Sequence, residues 1–245
     1  MEVLGIDIGG SGIKGAIVNI SQGDFVTDRL RIETPQPAKP EAVAEVVAKI
    51  SKHFGWRKAI GCTFPAVVQH GVTLTAANVD KRWIGTDAKA LLEGHTGNPV
   101  IVLNDADAAG IAEMKFGAGR DRRGLVVILT LGTGVGSSLF MDGRLVPNTE
   151  FGHLIIRGKD AELRTSDRGR QEKGYSWKAW GKRLSEHLRY MEALMTPDLF
   201  IIGGGVSKKF EKFFSHIHCD TEIVPAQLRN RAGIVGAAIA AIDLN

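Results

Sequence analysis

Two glycine-rich turns of one design, far apart in the chain, constrain the fold more than any other feature. Residues 7–15 read Asp-Ile-Gly-Gly-Ser-Gly-Ile-Lys-Gly, and residues 131–138 read Leu-Gly-Thr-Gly-Val-Gly-Ser-Ser. Each turn follows an apolar run that reads as a buried strand, Val3 to Ile6 and Leu125 to Leu131. Each is followed by a further β-like run, Ala16 to Ile20 and Leu139 to Met141. Strand, glycine turn, strand, stated twice, predicts two related lobes that each offer backbone N–H groups to one phosphate chain. Closely spaced N–H groups in such turns form anion-binding concavities. Glycine suits them because it tolerates positive φ and lets a ligand approach the backbone.

The 245 residues suffice for one large or two small domains with a substantial core. The net charge of +4 is mild, but it is unevenly placed: residues 157–189 hold ten Lys/Arg against five Asp/Glu, leaving the rest of the chain slightly acidic. Such a stretch is either a solvated face or a surface for a polyanion. The two cysteines, Cys62 and Cys219, form no zinc spacing and no disulfide framework. Met1 leads directly into a strand without a signal-peptide pattern, and no apolar run is long enough to span a bilayer. A cytoplasmic protein without a membrane partner is the expectation.

Three strands are predicted at the start, Val3–Ile6, Ile13–Ile20 and Phe25–Ile32, with a turn at residues 21–24. A helix opens near Pro40 with Val43, Val46, Val47, Ile50 and Phe54 at helical spacing. A strand over Ala59–Phe64 and a hairpin around Gly71 follow. A short helix, a strand ending at Asn104-Asp105 and a helix to Phe116 complete this half. The boundary is placed at Gly117 to Arg123, giving lobes of residues 1–116 and 117–231, with a final helix of 232–245 packing back on the first. In the second lobe, residues 176–195 form a long helix with Trp177, Trp180, Leu184, Leu188, Met191 and Met195 on one stripe. Leu199–Ile202 reads as a strand, followed by Gly203-Gly204-Gly205 and a helix to His216.

Gly10 to Gly15 formally matches GxGxxG, but a dinucleotide fingerprint requires a helix to begin there. The residues that follow favour a strand, so that reading is rejected. Asp7, just before the first cradle, suits a magnesium ion held through water, because magnesium keeps most of its hydration shell. Asn104-Asp105-Ala106-Asp107 lies at the C-terminal end of a strand, where open α/β sheets bind ligands. A carboxylate there can accept the proton of an attacking hydroxyl, with Asp105 or Asp107 also capping the helix. Glu150 and His153 pair an acid with an imidazole, good partners for adjacent sugar hydroxyls, and nothing nearby completes a zinc site.

Taken in order, these segments and Ile202-Gly203-Gly204-Gly205-Val206-Ser207 resemble the ROK family of sugar kinases, within the actin/hexokinase/Hsp70-like superfamily. The resemblance covers nearly the whole chain. It implies an α/β, two-lobed actin/hexokinase-like (ribonuclease H-like) kinase fold with a central cleft. It further implies Asp7, Gly9, Gly10, Ser11, Gly12 and Lys14 as the first phosphate segment. Thr130, Gly132, Thr133 and Gly134 belong to the second, and Gly203, Gly204 and Gly205 border the nucleotide site. Asp105 is the implied base toward the sugar 6-hydroxyl, and Asn104, Glu150 and His153 the implied sugar ligands, joined by Asn78.

Many family members follow the Gly-His pair with a cysteine-rich zinc loop that ends in a sugar-binding glutamate. Here Leu154 to Tyr175 has no cysteine and many cations, so zinc is not expected and no substitute glutamate is placed. The short basic version resembles the polyphosphate-using branch of the family, as do residues 63–68 and 78–83. Polyphosphate offers one charge per residue and no base to read, so cations, amides and hydroxyls must hold it. The implied track is Arg157, Lys159, Arg164, Arg168, Arg170 and Lys173, continued by Lys178 and Lys182. Arg120, Arg122 and Arg123 are further candidates.

The implied activity is transfer of the terminal phosphoryl of polyphosphate to glucose with Mg²⁺, by a homodimer. ATP remains open as donor, and mannose as acceptor. A sugar-responsive repressor would need an N-terminal helix-turn-helix, for which a strand beginning at residue 3 leaves no room, so no nucleic-acid partner is expected.

Overall fold

The computed structural model describes residues 1–77 and 79–244. The chain divides into two compact units, Met1–Ala112 with the segment from Arg231 onward, and Glu113–Asn230.

In the first unit, β1 (Glu2–Ile8) turns back antiparallel into β2 (Gly12–Asn19), which carries two short strands, β3 (Asp24–Phe25) and β4 (Leu30–Glu33). Helix α1 (Pro40–His53) leads to β5 (Ile60–Phe64), parallel to β1. The hairpin β6 (Val68–Gln69) and β7 (Val72–Thr73) precedes α2 (Ala88–Thr96). Strand β8 (Val100–Asn104), parallel to β5, then runs into α3 (Asp105–Phe116). The sheet order is β3-β2-β1-β5-β8. Every residue of β5 is buried, as a parallel strand covered on both faces requires. Helix α1 starts on Pro40, ends on Lys52 and His53, and turns Val43, Val46, Val47 and Ile50 into the core. Its composition thus matches both the first-turn preference for proline and the dipole's preference for cations at the end.

The predicted third strand, Phe25–Ile32, is broken in two. Phe25 pairs with Val18 and Leu30 with Gly15, so four residues of one strand face two of the other. The extra residues loop out while Thr27 Oγ1 accepts the Ile17 amide at 3.1 Å. This is a bulge, a feature that strengthens local twist.

In the second unit, β9 (Leu125–Leu131), β10 (Val135–Met141) and β11 (Arg144–Val146) form an antiparallel meander. The two-stranded ribbon β12 (Ile155–Ile156) and β13 (Lys159–Asp160) leads to α4 (Glu162–Thr165) and α5 (Asp167–Glu172). The long α6 (Trp177–Met195), capped by Ser176, precedes β14 (Leu199–Gly203) and β15 (Glu222–Pro225). The sheet order is β11-β10-β9-β14-β15, with β9, β14 and β15 parallel. Trp180, Leu184, Leu188 and Met191 of α6 pack on Val127, Leu129, Phe200 and Ile202 of the sheet.

The helix expected after Gly205 is instead a pair of 3₁₀ segments, Gly205–Lys212 and Phe214–His216, with Lys209 off the helical conformation at φ −114°. Phe210 and Phe213, three apart, sit edge to face at 5.6 Å, and Phe213 stacks on Trp177 at 5.8 Å. In a 3₁₀ turn residues three apart eclipse one another, which brings these two rings onto one side.

Numbered within each unit, the strand connections are the same: a meander of three, then two parallel strands added on the other side of the first. Each glycine turn joins the first two strands of its sheet. The chain finally returns as α7 (Ala232–Ala240), which lies on β1 and β5 of the first unit. A Cβ on Gly61 would fall 1.7 Å from the Ala237 carbonyl oxygen, so only glycine admits the helix there. Among the described residues, no helix is long and apolar enough to cross a membrane.

Candidate functional site

The first unit brings its predicted residues to the C-terminal edge of three parallel strands. Asp7 pairs with Thr63 across β1 and β5, and Phe64 pairs with Asn104 across β5 and β8. Asp7 and the start of α3 are therefore two strands apart, roughly 10 Å by sheet spacing. Asp7 Oδ1 accepts the Thr63 hydroxyl at 2.9 Å, and Lys14 Nζ lies 3.4 Å from Oδ2.

The turn between β1 and β2 is held by its carbonyls. Thr34 Oγ1 donates to the Gly9 oxygen at 2.5 Å, Gln36 Nε2 to Gly10 at 3.1 Å, and an Arg31 guanidinium nitrogen to Ser11 at 3.0 Å. The Gly9 amide closes the turn on the Gly12 oxygen at 3.2 Å. The exposed amides of Gly10 and Ser11 have no acceptor among the described residues. Oxygens tied back and N–H groups open to solvent are what an anion cradle needs.

Asn104, rather than Asp105 or Asp107, caps α3. Its buried Oδ1 accepts the amides of Ala106 at 2.8 Å and Asp107 at 3.2 Å, while Nδ2 donates to Ala66 O at 3.0 Å. Both carbonyl lone pairs are thereby used, leaving one N–H for a ligand. Asp105 is exposed at the helix N-terminus, where the macrodipole favours a carboxylate. Asn78 lies outside the described residues.

In the second unit, the turn between β9 and β10 is closed by the Gly132 amide on the Gly134 oxygen at 3.0 Å. Gly203 at the end of β14 pairs with Thr130, which places the Gly203–Gly205 segment beside that turn. The Arg168 amide of α5 donates to the Gly132 oxygen at 3.1 Å, and the Val135 amide donates to Glu162 Oε2 at 3.2 Å.

Glu150 and His153 flank a 3₁₀ turn packed on β10. Gly152 is needed there, because a Cβ would meet the Val135 oxygen at 2.3 Å. His153 Nδ1 lies 2.9 Å from Asp160 Oδ2, and its Nε2 lies 3.9 Å from Glu150 Oε2. The hydrogen bond to Asp160 pushes the imidazole above its ordinary value, helped by the negative charge of Glu162 and Glu150. Burial pushes the Glu150 carboxyl up, with His153 opposing and Glu162 adding to it.

Glu162, which the sequence reading did not single out, adds its charge to this cluster. It opens α4 directly after the β12–β13 ribbon, and its charge acts on both Glu150 and His153. The signal was positional: Glu162 is the first glutamate after the Gly-His pair.

The basic segment is more heavily paired than its composition suggests. Arg157 and Arg164 both bind Glu186, at 2.5 and 2.9 Å. Although burial opposes ionisation, the two guanidiniums hold the Glu186 carboxyl below its ordinary range. Arg170 binds Asp167 at 2.9 Å and lies over the Trp177 ring at 4.0 Å. Lys173 Nζ donates to the Leu163 oxygen at 2.5 Å, and Arg168 sits 3.9 Å from Glu172. The exposed Lys159, Lys178 and Lys182 have no ion pair among the described residues. Arg122 is engaged by Glu222 at 2.8 Å, and Arg120 lies 3.4 Å from Asp121. Lys159, Glu162, Ser166, Arg168 and Lys173 line one cavity of about 250 Å³.

The chain is 50% identical over 239 residues, 97% of its length and 90% of the relative's, to a polyphosphate glucokinase of Mycobacterium tuberculosis. A polyphosphate glucokinase of Mycobacterium leprae is 48% identical, over 96% of this chain and 73% of that one. The crystal structure of an inorganic polyphosphate/ATP-glucomannokinase from Arthrobacter sp. superposes with a TM-score of 0.94 at 48% identity, covering 100% of this chain and 99% of that one. A ROK glucokinase from Streptomyces griseus shares the fold, with a TM-score of 0.84 at 23% identity over 99% of this chain and 100% of that one. The fold is the two-lobed α/β hexokinase-like kinase fold. With the model of the ROK family also matching residues 3–171, this chain belongs to the ROK family.

Proposed function

We propose that this enzyme transfers the terminal phosphoryl group of inorganic polyphosphate to the 6-hydroxyl of glucose. The observation that carries the reading is the place of the basic segment. It is hydrogen-bonded through Arg168 to the second glycine turn, and it carries Glu162 into the Glu150–His153 cluster. A polyanion grip, a phosphate turn and a polyol-binding set thus belong to one fastened piece of structure. The relatives sharing half their residues with the chain are named for this chemistry.

Glu150, His153 and Glu162 of the second unit hold sugar hydroxyls, and Asn104 of the first unit offers its one spare N–H to a hydroxyl. Asp105 accepts the proton of the 6-hydroxyl as its oxygen attacks phosphorus. The bond from phosphorus to the bridging oxygen breaks, and the shortened polymer leaves as the anion. Such transfer is mostly positioning and charge stabilisation, with one acceptor for the nucleophile's proton. The amides of the two turns supply fixed positive dipoles toward the phosphates.

The donor set of Asp7 fits magnesium brought in with the phosphates. It is one partly exposed carboxylate, and no group of three or more His, Cys, Asp or Glu able to hold a metal occurs among the described residues. Asp7 would hold the ion through water, and the ion would neutralise charge on the transferring group.

Among the cations, Lys159, Lys178, Lys182 and Arg168 form the polyphosphate track, because Arg157, Arg164 and Arg170 are already engaged. ATP serves as a second donor, favoured by the register of Gly203 beside Thr130. The enzyme acts in the cytoplasm as a homodimer, with no nucleic-acid or membrane partner. Initial rates on glucose with polyphosphate and with ATP test the reading. Turnover with polyphosphate is expected, and ATP-only activity would overturn it.

A further inference from the structure

One buried imidazole connects the two chain segments that carry the sugar cluster. His187 of α6 is fully buried. Its Nε2 lies 2.9 Å from the carbonyl oxygen of Phe151, and its Nδ1 lies 3.2 Å from Thr165 Oγ1. Phe151 sits between Glu150 and His153, and Thr165 ends the helix that Glu162 begins.

A carbonyl can only accept, so Nε2 carries a proton and donates it to Phe151. Nδ1 lies against the Thr165 hydroxyl, which itself donates to the Ala161 oxygen at 2.9 Å. Burial pushes the imidazole below its ordinary value, against the pull of the Phe151 hydrogen bond.

Phe151 is held from both sides. Its amide donates to the buried Ser137 hydroxyl at 2.9 Å, and its carbonyl accepts from His187. The 3₁₀ turn bearing Glu150 and His153 is thereby fixed to β10 on one side and α6 on the other. Glu162 is fixed to β10 through the Val135 amide, and its helix to α6 through Thr165.

We propose that His187 is a positioning residue for the acceptor sugar, setting the spacing between the Glu150–His153 pair and Glu162. It touches no substrate and acts through those side chains. This inference rests on the sugar-binding reading of the cluster.

The test is steady-state kinetics of His187→Phe and His187→Gln, varying glucose and polyphosphate separately. Phenylalanine fills the space but leaves the Phe151 oxygen without its donor, whereas the glutamine amide can still reach it. His187→Phe is expected to raise the glucose KM about tenfold or more, since small misplacements of binding groups are costly. The polyphosphate KM should stay within about twofold, and His187→Gln should recover most of the loss. A folded His187→Phe with unchanged glucose KM, or equal rises for both substrates, overturns the inference.

If His187→Phe does not fold, Thr165→Val decides. A raised glucose KM at unchanged polyphosphate KM supports the role, and an unchanged glucose KM removes it. Glu162→Gln run in parallel separates the two levels. If it leaves the glucose KM unmoved, the sugar reading has failed; if it moves the glucose KM while the His187 variants do not, only the positioning role has failed.

Discussion

The backbone of Arg168 is tied to the backbone of Gly132, amide to carbonyl at 3.1 Å. A main-chain bond of this kind survives any change of side chain at position 168. Charge on the basic segment can therefore be altered without detaching it from the phosphate turn, which makes the segment open to clean mutagenesis.

Charge reversal at Lys159 and Arg168 together should raise the polyphosphate KM well beyond any change in the glucose KM. The wild-type polyphosphate KM should itself climb with ionic strength, as binding of a linear polyanion by cations does. Reversal at Arg157, which is committed to Glu186, should have the smaller effect on polyphosphate. Equal effects at both sites, read from initial rates, would contradict the assignment of the track.

Asp105→Asn should lower kcat by roughly 10²–10⁴-fold, the usual worth of a general base. Glucose affinity, read by isothermal titration, should hardly change. Activity within tenfold of wild type would remove the assignment.

Glu162→Gln should weaken glucose binding by about one to two orders of magnitude, as expected for losing a charge-assisted hydrogen bond. Stability should fall only modestly, because the amide oxygen can still accept the Val135 N–H.

His153 should titrate above the ordinary histidine range, and Asp160→Asn should bring it down, both readable by NMR. The sign follows from a raised folded value. Stability from the His153–Asp160 pair is fully present below about pH 6.5 and is lost as pH rises through the folded pKa. A His153 titration unaffected by Asp160→Asn would show the pair to be absent in solution.

Gly61→Ala should destabilise the first unit by about 1–3 kcal/mol or more, since its methyl would collide with the Ala237 carbonyl. Denaturant unfolding measures the loss, and limited proteolysis near α7 should show where it falls.

Much of this was legible in the sequence. Apolar run and glycine turn located β1, β2, β9 and β10, and Pro40 and Ser176 located the starts of α1 and α6. What escaped depended on contacts across the chain. The break in the strand after Phe25 comes from pairing two short strands against β2, which periodicity cannot register. Asn104 was read as a sugar ligand; that it also caps α3 depends on the exact strand end. Counting cations overstated the free charge near residues 157–173, because Glu186, far along the chain, takes up two of them. Glu162 carried only its position as a signal; the bond that seats it, from the Val135 amide, joins residues distant in sequence.

Helix α7 has a consequence for biogenesis. Residues 113–230 form a continuous unit, whereas the first unit takes in the segment from Arg231 onward, and domains generally fold as units. The unit made first must wait. Until Ile234 and Ala237 leave the exit tunnel, the groove over Gly5 and Gly61 has no cover. The half synthesised earliest is thus the last to be completed, and a translation stall near residue 230 would strand it with that face bare.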